Sequence, residues 1–200
     1  MARADTPEQF ALAGFEPAQV PRDNLFFAVF PQPQAVDQLA ARAAKLRSIH
    51  GLTGKLLRPD RFHVTLVPLG LYSGLPQDIV AAAKAAAAAV VAAPFQAVFD
   101  RALSFRGGPS RRPFVLGGGE AGLAGLRTLR LALVAQLRRA GLRLPDEQHY
   151  TPHVTLLYDD HGVAEEAIDP VDVVVSEFVL VHSLVGQTVH VPLARWPLRG

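Results

Sequence analysis

The tetrapeptide His-Val-Thr-Leu occurs twice in this chain, at residues 63–66 and 153–156, ninety residues apart. In an extended strand the side chains at i and i+2 leave the same face. Each copy therefore sets an imidazole beside a hydroxyl, while Val and Leu turn toward a core. A period of ninety residues exceeds the roughly 20 to 50 of a solenoid repeat, so it points to duplication into two lobes.

The segments around the two motifs follow one order. In the first half, the apolar run 25–30 reads as a strand buried on both faces, stopped by Pro31 and Pro33. Val36, Leu39, Ala40, Ala43 and Leu46 then recur at helical spacing over 34–49, and the first motif lies in a strand over 62–69. In the second half, Phe114-Val115-Leu116 is the strand, and a helix is expected over about 121–140 with Leu123, Leu126, Leu129, Leu133 and Leu137 on one stripe. The second motif strand is expected over 153–158. Phe27 to His63 spans 36 residues and Phe114 to His153 spans 39, so the two halves match in spacing as well as in order.

Between the halves, Pro76 and Asp78 open an Ala-rich helix expected to run to Ala93, before Pro94, and a strand follows over 95–105. The tail alternates at Val173, Val175, Phe178 and Leu180 and continues as a hairpin, with the single Trp196 expected to anchor the end of a sheet. Residues 1–22 have no sustained period and are expected to be a loosely ordered extension. Residues 23–200, with no interior linker, are expected to form a single bilobal domain.

A lone His-Val-Thr-Leu reads best as a half-buried strand with a polar edge. Two identical copies at equivalent positions read otherwise, because a repeated scaffold needs only its apolar pattern and has no need to keep the same His and Thr. Two such pairs face to face supply an acid, a base and two hydroxyl donors around one phosphorus, without a metal. His63 and His153 are thus the candidate catalytic residues, with Thr65 and Thr155 as candidate phosphate donors. The basic loop 106–113 offers Arg106, Arg111 and Arg112 as substrate contacts, with an ordinary solvated loop as the alternative. Tyr158 either lines the same site or closes its strand, and Phe27 is assigned to the core.

The absence of cysteine excludes a disulfide framework, a thiolate nucleophile and Cys-based metal sites. His149 and His153 stand at the i, i+4 spacing of helical metal ligands, but Pro152 between them argues against that helix. His182 and His190 fall in the terminal hairpin and are assigned structural or exposed roles. The amino terminus lacks the apolar stretch of a secretory signal, and residues 79–91 are interrupted by Lys84 and fall short of the roughly 20 residues of a membrane span. A cytoplasmic monomer without membrane association is expected.

The paired motifs, the opening run 24–31, Thr151-Pro152 ahead of the second motif, and the closing segments 183–186 and 195–198 together resemble the two-histidine phosphoesterases. Within them the match is to the bacterial RNA 2′,3′-cyclic phosphodiesterases, also called 2′-5′ RNA ligases, and it covers about residues 24–198. The resemblance implies an α+β fold in which two curved, antiparallel-rich sheets flanked by helices enclose a V-shaped cleft, related by a pseudo-twofold duplication. It also implies cofactor-free hydrolysis of RNA 2′,3′-cyclic phosphate ends to 2′-phosphomonoesters, with RNA ends or nucleotide cyclic phosphates as partners and 2′-5′ ligation as the reverse reaction. Three alternatives stay open: cleavage of 2′-5′ linked oligonucleotides, action on another small cyclic phosphate, and a non-catalytic module that binds RNA ends. Relatives often carry an aromatic residue where this chain has Gly117-Gly118-Gly119, which removes base stacking at that edge.

Overall fold

A computed structural model describes residues 22–106, 111–144 and 150–200. In chain order the elements are β1 (Asp23–Val29), α1 (Pro33–Ile49), β2 (Val64–Tyr72), α2 (Gln77–Ala88), β3 (Phe95–Ser104), β4 (Arg112–Gly117), α3 (Ala124–Arg139), β5 (Val154–Asp159), β6 (Glu166–Val175), β7 (Glu177–Leu184) and β8 (Val189–Pro197). They form two four-stranded antiparallel sheets, ordered β2-β1-β7-β8 and β5-β4-β3-β6. The strand-helix-motif strand units β1-α1-β2 and β4-α3-β5 occupy corresponding places, and each motif strand is the edge of its sheet. The fold is α+β with the duplicated organisation expected.

β1 is covered on both faces, as its uninterrupted apolar run requires. Leu25, Phe27 and Val29 enter the main core, while Phe26 and Ala28 join Val179 and Val181 in a small cluster on the opposite face. Phe27 is fully buried, and Trp196 stacks on Phe178 at 5.3 Å, closing the end of the first sheet.

Three expectations are corrected. The Ala-rich helix stops at Ala88, where the Ala89 N–H turns to the Ala86 carbonyl in a tightened last turn; β-branched Val90 and Val91 ahead of Pro94 do not sustain it. The alternating tail is two strands in different sheets. Val171, Val173 and Val175 face the core from β6, and the step of three to Phe178 marks the crossing at Ser176 into β7. β6 begins at Glu166 rather than 172, because its first half is mostly exposed and carries no apolar alternation. Of the expected amino-terminal extension only Arg22 is described, and it is already tied in by its N–H to the Tyr72 carbonyl at 2.9 Å. Residues 1–21 lie outside the described residues.

Each half is fastened to the other by the chain leading into its motif. Residues 53–57, upstream of β2, cross to β5: the Leu57 N–H donates to the Leu156 carbonyl at 2.8 Å, and Leu56 pairs with Leu157. The Asp159 carboxylate at the end of β5 accepts from the N–H of Thr53 at 2.7 Å, of Gly54 at 2.6 Å and of His161 at 2.8 Å. In return, Tyr150, just upstream of β5, donates its hydroxyl to the Thr65 carbonyl on β2 at 3.0 Å. Helix α1 also crosses over, with Arg42 on Asp169 at 2.9 Å and His50 on Glu166 at 2.7 Å, both on β6.

Gly54 is required by this contact. A Cβ there would stand 2.1 Å from the Tyr158 carbonyl oxygen. Gly54→Ala and Asp159→Ala are each expected to lower unfolding free energy by about 1–3 kcal/mol in urea denaturation, through overpacking in the first and through loss of the shared carboxylate acceptor of three partly buried N–H groups in the second. Because both act on the same contact, their double variant is expected to lose less than the sum.

Candidate active site

His63 and His153 stand one residue ahead of β2 and β5, not within them as expected. The cause is local and identical in the two copies. His63 Nδ1 bonds the Arg61 carbonyl at 2.7 Å, and His153 Nδ1 bonds the Thr151 carbonyl at 2.7 Å, each two residues upstream. A carbonyl only accepts, so Nδ1 must carry the hydrogen in both rings. Nε2 of each neutral ring is then left with its lone pair free.

The motif strands share a second device. Ala28 pairs with Thr65 and Phe27 with Val67, which leaves Leu66 as an extra residue; Val115 pairs with Thr155 and Phe114 with Leu157, which leaves Leu156 extra. These are β-bulges at the same motif position, the Leu of each tetrapeptide. Their mark in the burial pattern is two consecutive buried residues, Leu66-Val67 and Leu156-Leu157. The freed carbonyls serve the lobe junction: Leu66 accepts from Arg130 Nε at 3.1 Å, and Leu156 from Leu57 as described above. Thr65 and Thr155 lie partly exposed on the faces of their histidines, while Val64 and Val154 are buried.

The surroundings of the two imidazoles differ. His63 packs among Phe26 at 5.4 Å, Phe30 at 5.9 Å and His190 at 5.1 Å between ring centroids. Burial pushes His63 down to about 4, against the opposing pull of the Arg61 carbonyl, and positive charge on Arg61 and on His153 pushes the same way as burial. His153 meets Phe105 edge to face at 4.7 Å; burial lowers it too, with the Thr151 carbonyl opposing. The charge of one motif histidine thus bears on the other across the space between the lobes.

The other candidates divide. Tyr158 continues the His153–Thr155 face of β5 beyond the bulge, is 43% exposed, and carries the Arg111 guanidinium 5.8 Å from its ring centroid. Arg106 and Arg112 line a cavity of about 590 Å³ that Phe105 separates from His153. Arg111 therefore sits on Tyr158 while Arg106 and Arg112 line a separate cavity, rather than all three forming one cluster. The loop between them, 107–110, lies outside the described residues, as does His149. Gly117, at the end of β4, approaches Leu103, and Gly118 approaches the Val98 carbonyl, so the glycine run packs against β3.

Two residues of the site were not legible in sequence. His190, assigned a structural or exposed role in the hairpin, sits edge to face on His63 because β8 folds back along β7 beside β1. Burial, with His63 and Arg61 adding, brings it down to about 4 as well. Arg61 supplies the orienting carbonyl for His63, which any residue type would supply, so its identity gave no signal. Its guanidinium is partly buried, and Nη1 finds no partner among the described residues.

Doubled motif strands, equivalent histidines and bulges at matching positions define a pattern that can be compared with known proteins. The family model described as the 2′-5′ RNA ligase superfamily matches residues 35–187. The chain belongs to the 2′-5′ RNA ligase superfamily.

Solved structures similar to this superfamily member include a crystal structure described as a phosphoesterase, at 26% identity and TM-score 0.70, covering 90% of this chain and 100% of the other. Escherichia coli LigT complexed with 3′-AMP matches at 27% identity and TM-score 0.68, with the same coverage. The protein TT0787 of Thermus thermophilus matches at 25% identity and TM-score 0.66, covering 88% of this chain and 98% of the other. No curated protein matches the sequence. No helix among the described residues is long and apolar enough to cross a membrane.

The lowered ionisation of His63 has a consequence for folding. Between about pH 6.5 and about 4 the unfolded chain binds a proton at His63 that the folded chain does not, so stability falls as pH drops through that window. Replacing His63 by Gln removes this contribution. The variant is expected to show a shallower loss of unfolding free energy than the native protein from pH 6.5 to 4, measured by urea titration at each pH.

Proposed function

We propose that the protein opens RNA 2′,3′-cyclic phosphate ends to 2′-phosphomonoesters, with His63 and His153 as the base and acid. The observation that carries this reading is the matched tethering of both imidazoles through Nδ1, which leaves two Nε2 atoms, one from each lobe, free to move protons. A site that only bound a terminal phosphate would need donors, not two rings fixed in the same tautomer. The 3′-AMP complex of the LigT relative supports a nucleotide-sized ligand for this site.

In this mechanism His63, the ring held neutral, removes a proton from water as its oxygen attacks phosphorus. The phosphorus–O3′ bond breaks in line, and His153, entering as the cation, delivers its proton to O3′. Thr65 and Thr155 donate to the non-bridging oxygens as charge builds there. Tyr158, Arg111, Arg106 and Arg112 lie on the His153 side and contact the RNA that bears the cyclic phosphate. With an RNA 5′-hydroxyl in place of water, the same proton movements make a 2′-5′ linkage.

The test is turnover of a nucleoside 2′,3′-cyclic phosphate with chelator present, resolving the 2′- and 3′-phosphate products. His63→Ala and His153→Ala are each expected to lower kcat by about 10²–10⁴, and Thr65→Val or Thr155→Val by about 10²–10³. Strict metal dependence, or full activity in the double histidine variant, would refute the mechanism. Equal RNA affinity after both histidines are replaced, with no turnover in the native protein, would favour an end-binding module instead.

The pH profile follows from the same assignment. Activity requires neutral His63, so kcat/KM falls below about pH 4; it requires protonated His153, so kcat/KM falls again as pH rises through an ionisation that burial has moved below the ordinary histidine value of 6.5. A bell with its maximum on the acid side of neutrality is expected.

A further inference from the structure

Three rings close on the imidazole assigned as base. Phe26 and Phe30 lie tilted to His63 by 31° and 39°, and His190 crosses it edge to face at 81°, with centroids 5.1 Å apart. His190 also meets Phe26 at 5.4 Å and Phe30 at 6.5 Å, so the rings form one packed group. Edge-to-face contact is a favoured aromatic geometry, and turning either ring about its own bond loses it. The Arg61 carbonyl ties one atom of the His63 ring, and the packed group restricts its plane.

Beyond this group lies a second cavity, of about 450 Å³. Phe30 and His190 line it together with the polar Gln32 and Ser176, whereas His63 does not. The charged groups on its rim are paired: Asp60 accepts from Arg58 Nε at 3.0 Å and Nη2 at 2.7 Å, and Glu177 accepts from Arg195. A space of this size with polar walls admits water, and His190 stands between it and His63. His190 Nδ1 is buried without a partner among the described residues. A buried nitrogen left unpaired is a cost and not a use of the imidazole, so what this position employs is a flat ring.

We infer that His190 is a positioning residue for the base: its ring seals His63 from the cavity and fixes the plane of the imidazole. This rests on the reading of His63 as the base of the pair. Phe26 and Phe30 belong to the small cluster with Ala28, Val179 and Val181, whereas His190 comes from β8, the edge of its sheet, where truncation leaves that cluster whole. The charged neighbours are few: Arg61 acts on both rings, His153 acts on His63 from the other lobe, and Asp60, held by Arg58, acts on His190. Burial is the largest cause that holds His63 down at about 4, and Arg61 and His153 add to it. With the seal removed, water from the cavity solvates the cation, and the ionisation rises toward the ordinary 6.5. Activity needs the neutral ring, so the acid limb of kcat/KM moves up with it.

Titration of the His63 ring followed by NMR, with His63→Gln to assign its signals, tests the seal in the native protein and in His190→Ala, His190→Ser and His190→Phe. The midpoint is expected near 4 in the native protein and in His190→Phe, and displaced toward 6.5 in His190→Ala and His190→Ser. The acid limb of kcat/KM for a nucleoside 2′,3′-cyclic phosphate is expected to follow the midpoint. An unchanged midpoint in the folded small variants overturns the role of the ring, and so does an equal displacement in His190→Phe, which keeps a ring but no nitrogen. If the midpoint does not move while the native protein turns over the cyclic phosphate, only the positioning role falls. If the midpoint moves and the acid limb does not, or the native protein shows no turnover, the reading of His63 as base falls and takes the positioning role with it.

Discussion

The hydrogen bonds that each lobe makes to the backbone carbonyls of the other lobe's motif strand are the constraint on which the rest of the structure depends. Each motif strand is the edge of its sheet, and an edge presents unpaired carbonyl and N–H groups that must find partners where they are covered. Here the partners come from the other half of the molecule. Leu57 reaches the bulged Leu156, Arg130 reaches the bulged Leu66, and Tyr150 reaches Thr65. The bulge at the Leu of each motif is what turns those carbonyls outward. The residues that carry the proposed chemistry are thereby built into the joint, because the acceptors on both motif strands are main-chain carbonyls held by donors from the other lobe.

That arrangement gives the duplicated halves one geometry and two environments. The Nδ1 tethers are the same in each copy, yet His63 sits in a box of Phe26, Phe30 and His190 while His153 meets Phe105. The first sheet surrounds its histidine with aromatic rings, and the second opens toward arginines. A symmetric pair of histidines has no reason to divide into acid and base; the asymmetry of what packs on them provides one. The same asymmetry places a neutral cavity behind His63 and a basic one behind Phe105.

Much of the fold was legible because local patterns and tertiary demands agreed. The continuous apolar run of β1 meant burial on two faces, and the Leu stripe of α3 meant one buried side, and both were found. The misreadings arose where local signal was missing or ambiguous. The exposed first half of β6 has no alternation to detect. The tail from Val173 to Leu180 looks like one strand until the step of three between Val175 and Phe178 is seen to cross between sheets. The Ala-rich helix has strong propensity but loses its last turn to Val90, Val91 and Pro94.

By itself the sequence determined that there are two equivalent imidazole–hydroxyl pairs, because a repeated tetrapeptide with a period-two face is a local fact that needs no partner to be read. It determined the duplicated strand-helix-strand frame for the same reason. Only the tertiary structure decided that His190 stands beside His63, that residues 53–57 lie on β5, and which cavity adjoins which histidine. These depend on strand order and on which edge meets which, and strand order is fixed by pairings between distant parts of the chain, such as β1 with β7, to which hydrophobic periodicity is blind. The two His-Val-Thr-Leu segments were visible from the first reading; what each is surrounded by was not.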